Sequence, residues 1–512
     1  MKRIVVFIGL VACQRLAAQL PEDALRSSWT VPSGTARQQA IGGAMGSLGG
    51  EISSNFVNPA GLGFYKTREI VISPGFSLLQ TKASYLNTNN SGHSASNFNL
   101  GTSGLVTSHT GYNGNNSVFS IAVSRTANFN NHINYQGKND YSSMSEQYAE
   151  EFSNSGNDID QAIGNNGISY GTRSALYTYL VDTATINGQL QVIGQPQKSA
   201  LVLQHNDLQT SGGITEIALN LATSIKDKWY IGGGLGIPIL SYTRMQTYTE
   251  SDATGNPDND FESFTYTERY TTRGFGLNAK LGVIFRPNDA LRLGLAVHTP
   301  SLLGLTDEVH TNMSTQLENY ANPQQVSSGY FDSQYGPANS VNYNLYTPWR
   351  FIASGSYVFG GGQQNVKSQK GFITADLEYV TTRSSHFKAE NSDDVTSGNA
   401  YYDAVNAAIK SVYKNYLGAR IGGEMKFDPL FARLGAAYYT NPYQDSKELK
   451  ADKLFLTAGT GWRNAGMFVD LAFVMQFSRD VNFPYLLADK NNVLSTLKQT
   501  GGTVVMTVGF KF

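Results

Sequence analysis

The sequence has only one cysteine in 512 residues, Cys13, and it lies close to the N-terminus. The rest of the chain therefore cannot form a disulfide framework or carry thiolate chemistry. Charged residues are also few, at 15% of the chain, and the formal net charge is -1. Nucleic-acid binders usually carry a basic excess, so this class is excluded. No apolar window of about 18 residues occurs after the N-terminus, which excludes membrane-spanning helices.

Motifs of the common catalytic and metal centres are missing as well. No Gly-X-Ser-X-Gly nucleophile turn occurs, and the seven histidines are scattered without an HExxH pair. His298 and Ser301 are close in sequence but have no motif around them. The glycine run at 232–236 lacks the Lys-Ser/Thr of a phosphate loop and lies within a strand pattern. We therefore expect no enzyme activity, no metal and no cofactor.

The N-terminal residues have the order of a secretory signal peptide. Its parts are Lys2 and Arg3, an apolar run at 4–12 and small residues at 17–18, which predicts a signal over residues 1–19. The run Leu10-Val11-Ala12-Cys13 also fits a lipoprotein cleavage box, in which Cys13 would be lipidated. The sequence leaves both interpretations open.

Alternating apolar and polar residues dominate the chain after Tyr65, in blocks that end in turn residues. A period of two predicts β-strands, and about fourteen blocks occur, an even number as in bacterial outer-membrane barrels. The predicted strands are 69–81, 96–108, 116–129, 212–225, 229–248, 262–286, 290–300, 342–359, 370–387, 416–428, 430–440, 451–463, 466–478 and 502–512.

The connections between these strands alternate in length. The short set is 109–115, 226–228, 287–289, 360–369, 428–429 and 464–465. The long set is 82–95, 130–211, 249–261, 301–341, 388–415, 441–450 and 479–501. Short turns on one side and long loops on the other are typical of outer-membrane barrels. We therefore predict an all-β fold, a transmembrane antiparallel β-barrel of about 14 strands over residues 69–512.

The strand faces agree with a lipid-facing wall. In 370–387, Ile373 and Leu377 share one face, while Asp376 and Glu378 share the other. In a membrane barrel the apolar face meets lipid and the charged face lines the lumen. The last residue, Phe512, is also the usual end of outer-membrane barrel chains.

The stretch from Thr35 to Tyr65 lacks this alternation and is rich in glycine. Its glycines and proline suit tight, irregular backbone, so on its own it fits a surface arm, a linker or a plug. The alternation of short and long connections places its junction with the barrel at the end that has the short turns. This position favours a plug. We call residues 20–68 the hatch. Its candidate gate residues are Gly42, Gly43, Asn55, Asn58, Pro59, Ala60 and Gly61.

Several motifs resemble the FadL/TodX type of outer-membrane transporters for long-chain fatty acids and other hydrophobic compounds. The motifs are Ala40–Ala44, Asn55–Leu62, Arg286–Leu295, Thr347–Arg350 and Ala375–Tyr379, with weaker matches at 420–424 and 433–438. The resemblance implies a fourteen-stranded barrel plugged by its N-terminal segment. It further implies capture of ligand by outer loops, a lumenal site, and exit sideways beside an inward-kinked third strand. The insertion at 130–211 departs from the family, and the substrate stays open.

Two further sets of residues have alternative roles. Charges on the inner face could pair with a ligand carboxylate, or they could hold strands and hatch together. These are Arg292, Arg350, Asp376, Glu378, Arg420, Glu424 and Arg433. Tyr402, Val405, Ile409 and Val412 form an amphipathic stripe in a long loop. The stripe could capture ligand, or it could pack on neighbouring loops.

The sequence therefore predicts a passive channel of the bacterial outer membrane for hydrophobic small molecules such as long-chain fatty acids. Its partners would be the ligand and membrane lipid, without nucleic acid. One alternative is a barrel adaptor for secretion-system proteins, like the shuttle of type IX secretion. Another is an outer-membrane lipid hydrolase, which would need a serine and a histidine within hydrogen-bond reach.

Overall fold

A computed structural model describes residues 20–29, 32–111, 115–186, 188–360, 369–390 and 395–512. The predicted signal peptide and Cys13 lie outside the described residues. The described α-helices are α1 (Pro21–Ser28), α2 (Ala36–Ala40), α3 (Ser54–Val57), α4 (Met144–Ser155), α5 (Ile159–Gly164), α6 (Tyr170–Tyr177), α7 (Ser328–Tyr335) and α8 (Val395–Val412). Short 3-10 helices occur at Pro59–Phe64, Gln195–Lys198 and Thr382–Ser384.

The described strands follow the predicted alternation. They are β1 (Glu69–Ile72), β2 (Pro74–Tyr85), β3 (Thr88–Asn89), β4 (His93–Leu100), β5 (Ser103–Thr110), β6 (Asn116–Asn128), β7 (Asn131–Asn139), β8 (Val181–Ile186), β9 (Gln189–Gly194), β10 (Val202–Ile225), β11 (Trp229–Asp252), β12 (Ser263–Phe285), β13 (Leu291–His298), β14 (Leu302–Leu317), β15 (Ala321–Ser327), β16 (Ser340–Tyr346), β17 (Arg350–Phe359), β18 (Gly371–Val380), β19 (His386–Ala389), β20 (Tyr416–Phe427), β21 (Leu430–Tyr439), β22 (Lys453–Asn464), β23 (Met467–Asn482) and β24 (Ser495–Lys511).

These segments form a closed antiparallel barrel of fourteen barrel strands, which confirms the predicted fold class. Six barrel strands consist of two consecutive segments: β1 with β2, β4 with β5, β6 with β7, β13 with β14, β16 with β17, and β18 with β19. The other eight are β10, β11, β12 and β20 to β24. The barrel closes where β24 pairs with β1 and β2, from Glu69↔Lys511 to Ser84↔Thr496. This pairing joins the first barrel strand to the last, so neither end of the sheet is left as a free edge.

The barrel strands extend further on the long-loop side than the sequence predicted. β7 and the first half of β10 lie within 130–211, β14 lies within 301–341, and β24 begins at Ser495, within 479–501. The reason is that a strand that rises above the lipid meets water on its outer face, so the apolar alternation disappears. In β14, for example, Glu308 and His310 are exposed.

The outer wall carries a belt of exposed apolar side chains around the barrel. Phe275, Leu295 and Leu434 are 68%, 65% and 71% exposed, respectively. At the short-turn end, Trp229 and Phe285 stack with 4.3 Å between ring centroids, as in the aromatic girdles of membrane barrels. Among the described residues, no helix is both long and apolar enough to cross a membrane.

Candidate functional site

The hatch lies inside the barrel. At the short-turn end, the Phe64 ring stacks on Tyr230 of β11 with 3.7 Å between centroids. The Arg26 guanidinium lies 3.6 Å from the ring centroid of Tyr242, twelve residues further along the same strand. Twelve residues of strand span about 40 Å. The hatch therefore runs from the short-turn end of the lumen into the half that carries the long loops.

Asn55 joins the hatch to two wall strands. Its side chain is fully buried, with 0% exposure. Asn55 Nδ2 donates to Ser120 Oγ of β6 at 2.8 Å, and Asn55 Oδ1 accepts from Asn220 Nδ2 of β10 at 2.8 Å. A buried amide with donor and acceptor both satisfied fixes the position of its segment. Asn55, the first Asn of the hatch motif, is therefore an anchor to the wall.

Asn58 organises the turn that follows. Its Oδ1 accepts from Ala60 N at 3.1 Å and caps the 3-10 helix Pro59–Phe64, while its Nδ2 donates to Gly46 O at 2.6 Å. Gly61 N completes the turn by donating to Asn58 O at 2.9 Å. The Asn-Pro-Ala-Gly sequence thus forms a capped helical turn that is tied to an earlier part of the hatch.

Glycines allow hatch and wall backbones to touch. Gly42 and Gly43 have positive φ angles of 68° and 78°, which side chains other than glycine rarely adopt. Gly42 N donates to Thr457 Oγ1 of β22 at 3.0 Å. On the wall, a Cβ at Gly435 of β21 would lie 2.3 Å from Gly42 N. Substitution on either side of this contact would push the two backbones apart.

One group of wall charges meets the hatch at Arg37. The Glu424 carboxylate accepts from Arg37 Nε at 3.0 Å and from Arg433 Nε at 2.6 Å. Arg433 Nη1 also donates to Asp470 Oδ1 at 2.7 Å. The Arg433 side chain is fully buried. This chain of alternating charges crosses β20, β21 and β23 and ends in the hatch.

A second group meets the hatch backbone. Asp376 accepts from Met45 N at 3.0 Å and from Gly46 N at 3.1 Å. Arg420 Nη2 lies 3.6 Å from the Asp376 carboxylate and 3.1 Å from the Glu378 carboxylate. The structure therefore brings Asp376, Glu378 and Arg420 together against the hatch.

The remaining two charges of the predicted set also reach hatch atoms. Arg350 pairs with Glu378 at 3.1 Å and donates to Ser28 O. Arg292 stands apart on β13, where it donates to Leu48 O and lies 4.6 Å from the Phe64 ring centroid. All seven predicted charges thus line the contact between wall and hatch.

The hatch carries its own perturbed charges. Burial disfavours the charged form of Arg37, but the Glu424 carboxylate outweighs this effect and raises the pKa of Arg37 above its ordinary value. Burial raises the pKa of Glu51, an effect partly offset by the hydrogen bond from Thr35 Oγ1 to Glu51 Oε1 at 2.6 Å. Both groups face protein inside the lumen.

Helix α1, the first element of the hatch, shares one apolar core with the long loops. Ala24, Leu25 and Trp29 belong to it, and so do Tyr402, Val405 and Ile409 of α8, which are 5%, 8% and 0% exposed; Val412 packs against its edge. The predicted stripe therefore faces the interior. A second loop core unites α4, α6 and the upper parts of β11, β12 and β14.

A small cavity of about 120 Å³ lies between α1 and the rest of the hatch. Polar and apolar groups line it in similar shares, among them Lys280, His298, Arg350, Ile214 and Leu303. Lys280 forms a buried ion pair with Glu216 of β10, across β11. The chamber is too small for a whole long-chain lipid.

The wall ladder is interrupted beside the third barrel strand. β5 pairs with β6 up to Ser103↔Val123. Beyond this rung, among the described residues, β4 pairs only with β2, and β7 pairs only with β10. Just beyond this rung, the ladder between β6 and β10 has a register shift between Ile214 and Thr215. The result is a gap in the wall between β4 and the β6–β7 barrel strand.

Beyond the gap, β7 lies inside β2 and β4. Thr81 Oγ1 donates to Asn131 Oδ1 at 2.6 Å, and the rings of His93 and His132 have centroids 4.7 Å apart. The amides of Asn97 and Asn128 bond to each other across the gap, at 3.3 and 3.1 Å. Exposed apolar residues flank the gap on the outer wall: Phe98, Phe119 and Ile121, which are 72%, 44% and 40% exposed.

His298 and Ser301 do not form a catalytic pair. His298 Nε2 lies 2.9 Å from Val57 O of the hatch. Ser301 Oγ instead accepts from Asn278 Nδ2 at 3.0 Å. His298 therefore contacts the hatch, and Ser301 contacts a neighbouring strand.

Comparison with known proteins agrees with this architecture. No protein-family model and no curated protein matches the chain. Among solved structures, the chain is similar to a Pseudomonas aeruginosa FadL homologue, with a TM-score of 0.55 and 13% identity, over 95% of this chain and 100% of that one. It is also similar to the P. putida toluene transporter TodX, with a TM-score of 0.53 and 10% identity, over 94% of this chain and 99% of that one.

These findings define a closed fourteen-stranded barrel whose lumen holds its N-terminal segment. The chain has the fold of the FadL/TodX-type outer-membrane transporters, which confirms at the level of the fold the resemblance inferred from its motifs.

Two features of the lumen were missed in the sequence. Helix α1 has a start signal, since Pro21 takes the first helical position and Glu22 and Asp23 follow in the first turn. The Glu216–Lys280 pair could have been found from alternation, because Leu277 faces out and Lys280, three positions later, faces in.

Removal of the Trp29 side chain should release α1 from the loop core. Trp29 stacks on Tyr416 with 5.6 Å between centroids, and Lys453 Nζ lies 4.1 Å from its ring centroid. Loss of a buried aromatic side chain typically costs about 3–5 kcal/mol. Trp29→Ala is therefore expected to speed proteolytic cleavage within residues 20–29, while the barrel itself stays protected. Cleavage at the wild-type rate would show that α1 is held by other contacts. Trp349→Ala, at an exposed belt residue, is the control.

Proposed function

We propose that the protein is a passive channel of the bacterial outer membrane that takes up hydrophobic small molecules. The observation that carries this proposal is the wall gap between β4 and the β6–β7 barrel strand, bordered by apolar side chains of the belt. An apolar molecule that leaves through such a gap enters lipid without crossing the polar hatch. This route needs no chemistry and no cofactor.

The closed lumen gives the hatch the role of gate. Its charged and amide contacts to the wall block the route along the barrel axis. Transfer of an apolar solute through a water-filled lumen would also be unfavourable in free energy. A ligand can change the hatch or α1 only if it binds one arrangement more tightly than the other. Long-chain fatty acids are the substrates we favour, because the chamber lining offers cations such as Lys280 and Arg350 for a carboxylate and apolar side chains such as Ile214 and Leu303 for the start of an alkyl chain.

A second function is favoured by the packing of the long loops. The loop helices form compact cores with α1, so the lumen is covered from the loop side. A covered lumen under folded loops also suits an adaptor that binds secretion-system proteins. Such an adaptor would not need the wall gap.

Cross-linking across the gap separates the two functions. Cysteines at positions 97 and 128, bridged by a short bifunctional thiol reagent, should slow fatty-acid uptake into reconstituted vesicles several-fold. The control pair is 107 and 119, which face each other in the intact β5–β6 ladder. Bridging the control pair should leave uptake unchanged. Equal uptake in both bridged proteins would refute lateral exit, and no uptake in any form would favour the adaptor.

A further inference from the structure

The outer wall carries a row of three cations just above the apolar belt. Lys82 of β2 faces Lys498 of β24, and Lys498 faces Arg479 of β23 on its other side. All three side chains are exposed. They therefore lie in one rung across three adjacent strands, at the seam where the barrel closes.

This arrangement is unfavourable for the protein alone. Directly opposite residues of neighbouring strands have Cβ atoms about 5 Å apart, and like charges placed there repel each other. No ion pair to any of the three occurs within the described residues. Asp480, the acid next to Arg479 in sequence, lies on the inner face by alternation. Asp452 lies opposite Arg479, where its backbone carbonyl accepts from Arg479 N at 3.2 Å, and no ion pair between their side chains occurs.

The height of the row points to its partner. Leu78 is exposed in the belt, and Lys82 lies four residues further along β2. Four residues of a strand tilted by about 40° rise roughly 10 Å, which carries the ammonium from the hydrocarbon edge into the headgroup layer. Gly92, the residue before β4, gives room for the stem of Lys82, since a Cβ there would lie 3.0 Å from Lys82 Cγ.

We propose that Lys82, Arg479 and Lys498 form a binding site for the phosphate groups of an anionic glycolipid in the outer leaflet. Two phosphates on one headgroup would bridge the row and relieve its repulsion through charge-assisted hydrogen bonds. The acyl chains of the same lipid would lie along the belt below, over Phe76 and Val504. The inference rests on the membrane placement proposed above and is independent of transport.

Native mass spectrometry of the full-length protein, released from phosphatidylcholine nanodiscs doped with lipid A, tests the site. Wild-type protein should retain lipid A carrying two phosphates, and K82Q/R479Q/K498Q should retain it about tenfold less. The control, R269Q/R273Q/K388Q, removes three exposed cations elsewhere on the wall and should retain lipid A as wild type does. Monophosphorylated lipid A should be retained less well than the form with two phosphates.

The outcomes separate this inference from the others. Equal retention by both triple variants, or equal retention of a phosphate-free glycolipid, would overturn it. If the protein retains lipid A but shows no fatty-acid uptake, the lipid site is supported and the transport proposal is refuted. Failure of every form to insert into bilayers would refute the membrane placement and the site together.

Discussion

Arg433→Met is expected to destabilise the barrel by about 3–5 kcal/mol, the typical cost of removing one partner of a buried ion pair. Arg433 lies between Glu424 and Asp470 with no exposed surface on its side chain. Without it, two carboxylates stay buried close together, and Arg37 of the hatch alone is left to compensate for Glu424. The free energy of unfolding, measured in urea from the heat-modifiable electrophoretic mobility of the folded barrel, reports this loss.

A second substitution checks the electrostatic cause. Met and Arg have similar volumes, so the loss should come from the unpaired carboxylates and not from a cavity. In R433M/D470N the Asp470 side chain is neutral and Glu424 keeps Arg37 as its partner, so part of the stability should return. Arg463→Gln is the matched control, because its side chain is 31% exposed and Asp470 keeps Arg433 as its partner, so the loss should be smaller than in R433M. A double variant as unstable as R433M would assign the loss to packing.

The sequence predicted the barrel well because two simple regularities repeat along it. Alternation along β18 separates Ile373 and Leu377 from Asp376 and Glu378, and the structure places the first pair in the belt and the second pair in the lumen. The lengths of the connections then distinguish the barrel end with short turns from the barrel end with long loops. Neither regularity continues above the lipid, where β14 carries Glu308 outside and Thr311 inside, so β7, β14 and the first half of β10 were predicted as parts of long connections.

The candidate site was harder to predict for a different reason. The roles of Asn55 and Arg292 depend on contacts between the hatch and strands more than 60 residues away. The role of Arg433 depends on carboxylates of two other wall strands. Local periodicity carries no information about such contacts. The wall gap is hidden in the same way, because β4 was predicted as part of an ordinary strand and β7 as part of the connection 130–211. Only their missing partnership creates an opening.

The polar lumen and the apolar belt together constrain any route through the molecule. The hatch contacts are amides, charges and glycine backbones, which would bind water or ions more readily than hydrocarbon once opened. The apolar surfaces are the loop cores above and the belt outside. The proposed function therefore requires an apolar molecule to pass from the loop cores to the wall gap while the hatch stays closed.

Gly435→Val should make the closed barrel leak. A Cβ at Gly435 would lie 2.3 Å from Gly42 N and 2.3 Å from the carbonyl carbon of Ile41, both backbone atoms, so the hatch must move away from β21. That movement breaks the bond from Gly42 N to Thr457 Oγ1 and weakens the neighbouring bond from Thr457 Oγ1 to Ala40 O. Swelling of proteoliposomes in a small sugar should become several-fold faster.

Two further variants, Gly304→Val and a deletion of residues 55–62, separate the glycine contact from the rest of the plug. Gly304→Val places the same side chain on the outer face, where a Cβ meets nothing closer than Asn344 Oδ1 at 3.8 Å, and swelling should match wild type. Deletion of residues 55–62 removes the capped turn and the Asn55 anchor, so swelling should be at least as fast as in Gly435→Val. If the deletion leaves swelling unchanged, the hatch does not plug the pore. If Gly435→Val alone leaves it unchanged while the deletion speeds it, the plug is held by Asn55 and the 3-10 helix, and the glycine contact only positions the segment between them.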